Sequence, residues 1–358
     1  MGILDRYIIK KFLGTFFFSI ALIISIAVVF DITEKLDDFI EREAPLRAIV
    51  VDYYLNFIPY FANLFSYLFV FISVIFFTSK MASNTEIISI LASGVSFKRF
   101  LLPYFISASI LALLSFYLNN FLIPDANKAR LDFEEQYIRN QFRNEEKNIH
   151  IQLDDSSYAY LESYNTWANI GYKFSLETIK DGKLTYKLLS DYIQWDSTKS
   201  NWVARNYYER YIDGTAERII EGKTKDTVLN ITPDDFNRRD NAVGSLDYYA
   251  LNDAIAREKF RGSSKAVYYE LEKYSRLASP FATFVLTLIG VSIASRKVRG
   301  GIGVHIGFGL AISFTYILFM QVSETFATNG NFNPLLAVWI PNITFGLLAI
   351  YLLAKAPK

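Results

Sequence analysis

FLLPYFISASILALLSFYLNNFLI, residues 100–123, runs without a charge into PDANKARLDFEEQYIRNQFR, residues 124–143. Coiled as a helix at about 1.5 Å per residue, the first stretch crosses the roughly 30 Å hydrocarbon core of a bilayer, whereas the second is too charged to enter it. Residues 12–32 and 54–78 on one side, and 277–294, 302–322 and 335–353 on the other, repeat the apolar pattern. The chain therefore reads as an α-helical membrane protein with six transmembrane helices, three on each side of an insert. Residues 1–123 hold the first three helices, 124–276 the insert, and 277–358 the last three.

Loop charge orients these spans. Arg6, Lys10 and Lys11 precede the first; Lys80, Lys98 and Arg99 separate the second and third; Arg296, Lys297 and Arg299 separate the fourth and fifth; Lys355 and Lys358 follow the sixth. All lie on one side of a six-span path, which the positive-inside rule makes cytoplasmic together with both termini. The opposite loops are poor in basic residues: 33–52 carries Glu34, Asp37, Asp38, Glu41 and Glu43 against Lys35, Arg42 and Arg47, and 325–334 carries none. The chain is therefore expected to be a multi-pass membrane protein with an extracytoplasmic insert. Residues 12–32 exceed a signal-peptide core and end in no small-residue cleavage pattern, so they read as a retained helix.

Within the insert, residues 125–143 are expected to form a helical stalk whose charges leave little room for a buried face. From Asn148 the period changes to two, with His150, Gln152 and Asp154 alternating against Ile149, Ile151 and Leu153. Lys180-Asp181-Gly182-Lys183 predicts a hairpin turn between strands at 172–179 and 184–195, and residues 196–201 separate a further strand at 202–210. The series predicts a β-sandwich or jellyroll, whose many tyrosines read as strand formers filling a core rather than as a carbohydrate platform. Residues 247–259 return to the helical period, with Tyr248, Leu251 and Ile255 on one face, and lead back to the membrane.

Signals for catalysis are missing. The chain has 0 cysteines, which removes disulfides, thiol nucleophiles and thiolate metal sites. His150 and His305 stand on opposite sides of the insert and read as ordinary surface or packing residues. Gly222-Lys223-Thr224 is the nearest approach to a phosphate-binding loop, but Glu217 occupies the place of the upstream glycine, and a turn is expected there. No catalytic residue, metal site or bound cofactor is expected. The formal net charge of +1, with 52% hydrophobic residues, gives no reason to expect a nucleic acid as partner.

Charges at membrane depth are informative because they are expensive there. Asp31, Glu34 and Lys35 lie at the outer end of span one and Glu324 at that of span five; Asp31 and Lys35, four apart, form either an interfacial pair or part of a cavity lining. Phe30, Phe61, Phe65 and Phe314 offer apolar faces for acyl chains in such a cavity. Gly300, Gly301, Gly303, Gly307 and Gly309 form a cluster that predicts helix packing, with Gly303 and Gly307 spaced for close approach.

The most telling loop is SKMASNTEIISILASGVSFKR, residues 79–99. Ser83, Asn84, Thr85 and Glu86 supply capping and acidic residues for a helix start, Ile87, Ile88, Leu91 and Ala92 an apolar stripe, and Gly94 a stop. A short helix at about 83–94 with this stripe suits a knob for a soluble partner or an anchor lying on lipid.

Leu4-Asp5-Arg6-Tyr7-Ile8, EIISILASG at 86–94, the re-entry from Tyr269-Glu270-Leu271 to Pro280, and Trp339-Ile340-Pro341-Asn342 together resemble the LptF/LptG (YjgP/YjgQ) lipopolysaccharide export permease family, with the opening more like its LptG branch. The resemblance implies a periplasmic β-jellyroll and a non-enzymatic subunit of an ABC exporter. It also implies pairing with an LptF-type permease subunit above an LptB-type ATPase dimer that uses ATP and Mg, and transfer of lipopolysaccharide to LptC- and LptA-type proteins. Ser83, Asn84, Thr85, Glu86, Ile87, Leu91 and Gly94 would then form the ATPase-coupling segment, with Glu86 as its charged contact. A permease or mechanotransmission subunit of another envelope ABC system, such as lipoprotein release, is the alternative. Acidic Asp31, Glu34, Asp37 and Asp38 stand where some family members carry basic residues. Here Lys35, a partner subunit or a divalent cation would have to meet lipid phosphates, or the lipid carries fewer of them.

Overall fold

The computed structural model describes residues 2–138, 144–236, 240–296, 301–330 and 332–356. They fall into two compact units, a helical one comprising residues 1–138, 244–251 and 267–358 and a sheet unit comprising 139–243 and 252–266. Arg143 at the end of the expected stalk, the loop residues Lys297, Arg299 and Gly300, and Lys358 lie outside the described residues.

In the helical unit, α1 (Ile3–Glu41) runs for 39 residues, about 58 Å of helix, so it extends well beyond a hydrocarbon core. Ile8, Phe12, Phe16, Ile20 and Ile24 recur every fourth residue and form one buried stripe. After the single turn α2 (Leu46–Ala48), the expected second span is not one helix. It consists of a π-helical segment (Ile49–Tyr54), α3 (Leu55–Leu64), a break at Phe65, and α4 (Ser66–Ser83). Hydropathy does not register the reasons: Pro59 removes a backbone donor inside α3, and Asn63 is drawn into a polar tie. Its Nδ2 donates to Asn119 Oδ1 at 2.7 Å, and Ser115 Oγ donates to its Oδ1 at 2.7 Å.

Next come α5 (Glu86–Ala92), α6 (Phe97–Tyr117), a π-helical segment (Leu118–Leu122) and α7 (Ile123–Tyr137). The stalk expectation needs correction, because α7 buries Ile123, Ala126, Phe133 and Glu134. Phe133 packs 5.2 Å from the Tyr53 ring and 5.9 Å from Phe39. Charge did not prevent burial because Arg130 and Glu134 pair at 2.5 Å, one helical turn apart, leaving an apolar stripe free to pack.

The last helices of the unit are α9 (Ala266–Ala294), α10 (Gly301–Asn329) and α11 (Pro334–Ala354), so among the described residues six helices are long and apolar enough to span a membrane. Helix α4 is packed on two sides. Val70, Val74 and Phe77 join the α1 and α6 core, where Phe77 stacks on Tyr104 and the Tyr104 hydroxyl meets Thr78 Oγ1 at 2.9 Å. Phe71 and Ile75 join Ala282, Leu286 and Ile289 of α9, Tyr316 of α10 and Phe345 of α11. Glycine permits this approach: a Cβ on Gly290 would lie 2.9 Å from Val74 Cγ1, and one on Gly309 would collide with Ile75 Cδ1.

Pro341 inside α11 has no N–H for the Ala337 carbonyl, and Ser323 Oγ of α10 donates to that oxygen at 2.6 Å. Beside it, Tyr316 OH donates to Asn342 Oδ1 at 3.0 Å while Asn342 Nδ2 donates to the Ala278 carbonyl at 3.2 Å, tying three helices. Gly303 and Gly307 have nothing within 4 Å of an added Cβ. Of the predicted glycine cluster Gly309 packs closely within the chain, joined by Gly290, which was not predicted. His305 is buried with Nε2 3.1 Å from the Arg296 carbonyl oxygen, a packing role.

The sheet unit contains β1 (Lys147–Gln152), β2 (Ser157–Asn165), β3 (Ile170–Lys180), β4 (Lys183–Asp196), β5 (Asn201–Asp213) and β6 (Ala216–Thr227), antiparallel and paired in sequence order. The β insert expected from the alternation thus takes the form of one six-stranded sheet. Asp181 and Gly182, with φ of 51° and 72°, make the expected two-residue hairpin turn. One face buries Leu161, Phe174, Leu188, Ile193 and Trp202 beneath Ile231 and Phe236, and Trp202 Nε1 donates to the Ile231 carbonyl at 2.9 Å. Gly222-Lys223-Thr224 is not a turn: it lies within β6, where the Tyr207 ring fills the space a Cβ on Gly222 would need. Burial alone would raise the Glu209 carboxyl, but hydrogen bonds from Lys225 and Tyr186 bring it below the ordinary range. The chain then returns through α8 (Tyr248–Phe260), which buries Leu251, Ala254 and Ile255 but leaves Tyr248 exposed.

Gly309→Leu is expected to lower the stability of the detergent-purified chain by about 1–3 kcal/mol, the range for overpacking. Gly303→Ala and Gly307→Ala are expected to change it by less than about 0.5 kcal/mol. Thermal unfolding of the three variants checks both statements.

Candidate functional site

Two groups of predicted residues sit on the helical unit, one at the basic-loop end and one at the opposite end of α1. At the basic-loop end, α4 closes on Asn84, and the chain turns at Thr85, whose φ is 63°. A β-branched residue in this left-handed region is strained by roughly 1–3 kcal/mol, and the surrounding contacts must hold it there. The predicted capping does not occur: Ser83 Oγ donates to the Lys80 carbonyl at 2.8 Å and Thr85 Oγ1 to the Asn84 carbonyl at 2.6 Å. Both hydroxyls are spent on the preceding turn, so α5 starts without a side-chain cap. Gly94 does end the helix as expected, with φ of 88° and its N–H bonded to the Leu91 carbonyl.

The predicted apolar stripe divides. Ile87 is buried, and Ile90 and Leu91 pack beside it on the α1, α4 and α6 core. Ile88 is 57% exposed, and Ala92 faces outward with Asn84, Thr85, Ser89 and Gly94. One side therefore anchors the helix while the other offers a small surface with an apolar centre.

Glu86 is half-buried and held on both oxygens. Asn84 Nδ2 donates to Oε1 at 3.1 Å and Tyr7 OH, from α1, donates to Oε2 at 3.0 Å. Nearby, the Arg99 guanidinium donates to Asp5 Oδ1 and Oδ2 at 2.6 and 2.8 Å, and Gly2 N donates to the same carboxylate at 2.9 Å. Asp5 and Tyr7 were not among the predicted site residues. Their signal is the Asp5-Arg6-Tyr7 run, which places an acid among bases where no local partner explains it.

At the other end of α1, Asp31 and Lys35 form an ion pair at 2.8 Å with side chains only 12% and 19% exposed. Tyr53 OH and Tyr54 OH donate to Asp31 at 3.2 and 3.1 Å, and Lys35 also bonds Tyr53 OH. The predicted pair of residues four apart is formed, and the Lys35 charge is met by Asp31 within the chain. An aromatic succession continues from this pair. Tyr53 and Tyr54 lie about 6 Å from Phe57, Phe57 stacks on Phe61 at 3.9 Å, and Phe61 lies 6.2 Å from Phe65. Phe30 and Phe314 are not brought into it; they are 73% and 55% exposed on α1 and α10. Among the described residues no group of His, Cys, Asp and Glu is arranged to hold a metal ion. The arrangement offers aromatic surface at one end of α1 and a small exposed face of α5 at the other.

Comparison with known proteins bears on both ends. Residues 6–355 match the family described as lipopolysaccharide export system permease LptF/LptG. The LptG permease proteins of Escherichia coli K12 and of Escherichia coli O6:H1 are each 19% identical over 364 residues, covering 99% of this chain and 98% of the relative.

Removing one member of the Asp31–Lys35 pair strands the other charge. Asp31→Leu or Lys35→Met alone is expected to lower stability by about 1–3 kcal/mol, and the double variant by less than the sum. A double-mutant cycle on thermal unfolding in detergent checks the coupling.

Proposed function

This chain belongs to the LptF/LptG family of lipopolysaccharide export permeases, and on that premise we propose that it is the LptG-like half of an ATP-driven exporter in a bacterial inner membrane. The family match across both helical bundles and the sheet carries the reading. In it, an LptF-type subunit packs on the helical unit, and α1 and α10, which bury the smallest share of their apolar windows within the chain, supply contact surface. An LptB-type ATPase dimer binds ATP and Mg and docks on the outward side of α5, around Ile88 and Glu86. Hydrolysis closes the space between the two permease subunits on the acyl chains, and the lipid passes by way of the sheet unit to LptC- and LptA-type proteins. This chain hydrolyses nothing itself.

The neutralised Lys35 refines the reading. Phosphates of the lipid are met by a cationic group of the partner subunit or by a divalent cation, while Phe61 and Phe65 face acyl chains.

Because the chain has 0 cysteines, single introduced thiols report sidedness. Thr198→Cys is expected to react with an impermeant maleimide in intact spheroplasts and Ser93→Cys only after permeabilisation; the reverse pattern inverts the topology. Glu86→Lys sets a like charge against a cationic partner and is expected to cut ATP-driven lipid transfer in the reconstituted complex on the order of ten-fold or more. Normal assembly and transfer in that variant would remove the coupling role of α5.

A further inference from the structure

The start of α1 holds the segment 84–99 at two points that differ in strength. Asp5 receives a two-pronged bond from Arg99, geometry that resists both sliding and rotation. Tyr7 gives Glu86 one bond, at 3.0 Å, in an exposed setting. Two residues of one helical turn thus connect α1 rigidly to the start of α6 and compliantly to the start of α5. Between them Ile87 is inserted in the core with Ile90 and Leu91 packed beside it, and Glu86 stands next to that buried anchor at the start of α5.

Nothing in α5 itself orients that carboxylate. The helix has no side-chain cap, and Thr85 is turned away in the left-handed region. Orientation comes from Asn84 on Oε1 and Tyr7 on Oε2. A carboxylate oxygen accepts two hydrogen bonds, so each Glu86 oxygen retains capacity for an incoming donor while keeping its present one. A planar guanidinium approaching from outside is the chemistry that uses both oxygens together.

We propose that Tyr7 is a positioning residue for coupling: its hydroxyl presets Glu86 to receive a cationic side chain of the ATPase and carries displacement of α5 into α1. The proposal rests on the coupling role of Glu86. It makes the Tyr7 hydroxyl, rather than its ring, the functional part, and it makes the effect of Tyr7 depend on Glu86.

The test uses the complete exporter in proteoliposomes, comparing wild type, Tyr7→Phe, Glu86→Gln and the double variant for lipid transferred per ATP hydrolysed. Tyr7→Phe is expected to assemble normally and to lower that ratio about three- to five-fold, the scale of the ordinary net contribution of one solvent-exposed hydrogen bond. The double variant is expected to match Glu86→Gln. Three results would overturn the proposal: Tyr7→Phe behaving as wild type while Glu86→Gln is impaired, losses that multiply in the double variant, or failed assembly in Tyr7→Phe alone. A Glu86→Gln exporter that couples normally would instead remove the coupling reading itself, and this inference with it.

Discussion

The helical unit depends on the close approach of other helices to α4. Gly290 and Gly309 let α9 and α10 come within contact of Phe71, Val74 and Ile75, while the other side of α4 carries the α1 and α6 core. Between helices in lipid there is little hydrophobic drive, because the surrounding chains are as apolar as leucine. Packing at short range has to supply the attraction. Helix α4, as enclosed as α9 among the candidate spans, then leads directly through Asn84 and Thr85 into α5.

The same apolar setting explains where the polar side chains are. A proline in a spanning helix leaves a carbonyl without its donor, and an unsatisfied carbonyl in hydrocarbon is costly. Ser323 meets the one that Pro341 leaves at Ala337, and Asn342 next to it reaches both Tyr316 and Ala278. The Trp-Ile-Pro-Asn run is therefore a joint among α9, α10 and α11. Asp31, Lys35, Tyr53 and Tyr54 solve the equivalent problem for charge, each finding its partner inside the chain.

This distribution bears on function. At one end of α1 Asp31 and Lys35 are closed on each other beside Tyr53 and Tyr54. At the other end Asp5 is closed on Arg99, but Glu86 is held by weaker neutral donors and remains able to accept more. Of the charged groups that sequence reasoning raised, Lys35 is paired with a carboxylate of its own helix, and Glu86 accepts only from neutral donors.

Helix number and the place of the insert follow from the sequence alone, because apolar length and two-residue alternation are local properties, and the Asp181-Gly182 turn needs only its own backbone. Helix α5 is legible for a similar reason: EIISILASG carries its apolar residues and its stop within one short stretch. Contacts between distant residues were not legible. The break at Phe65, the buried face of α7 and the split of the α5 stripe into anchored Ile87 and exposed Ile88 depend on what packs alongside. So do the partners of Asp5, Tyr7 and Lys35. Hydropathy and period record what a residue prefers to be near. Which carboxylate meets which donor across 79 positions, as Tyr7 meets Glu86, is settled only when the helices are brought together.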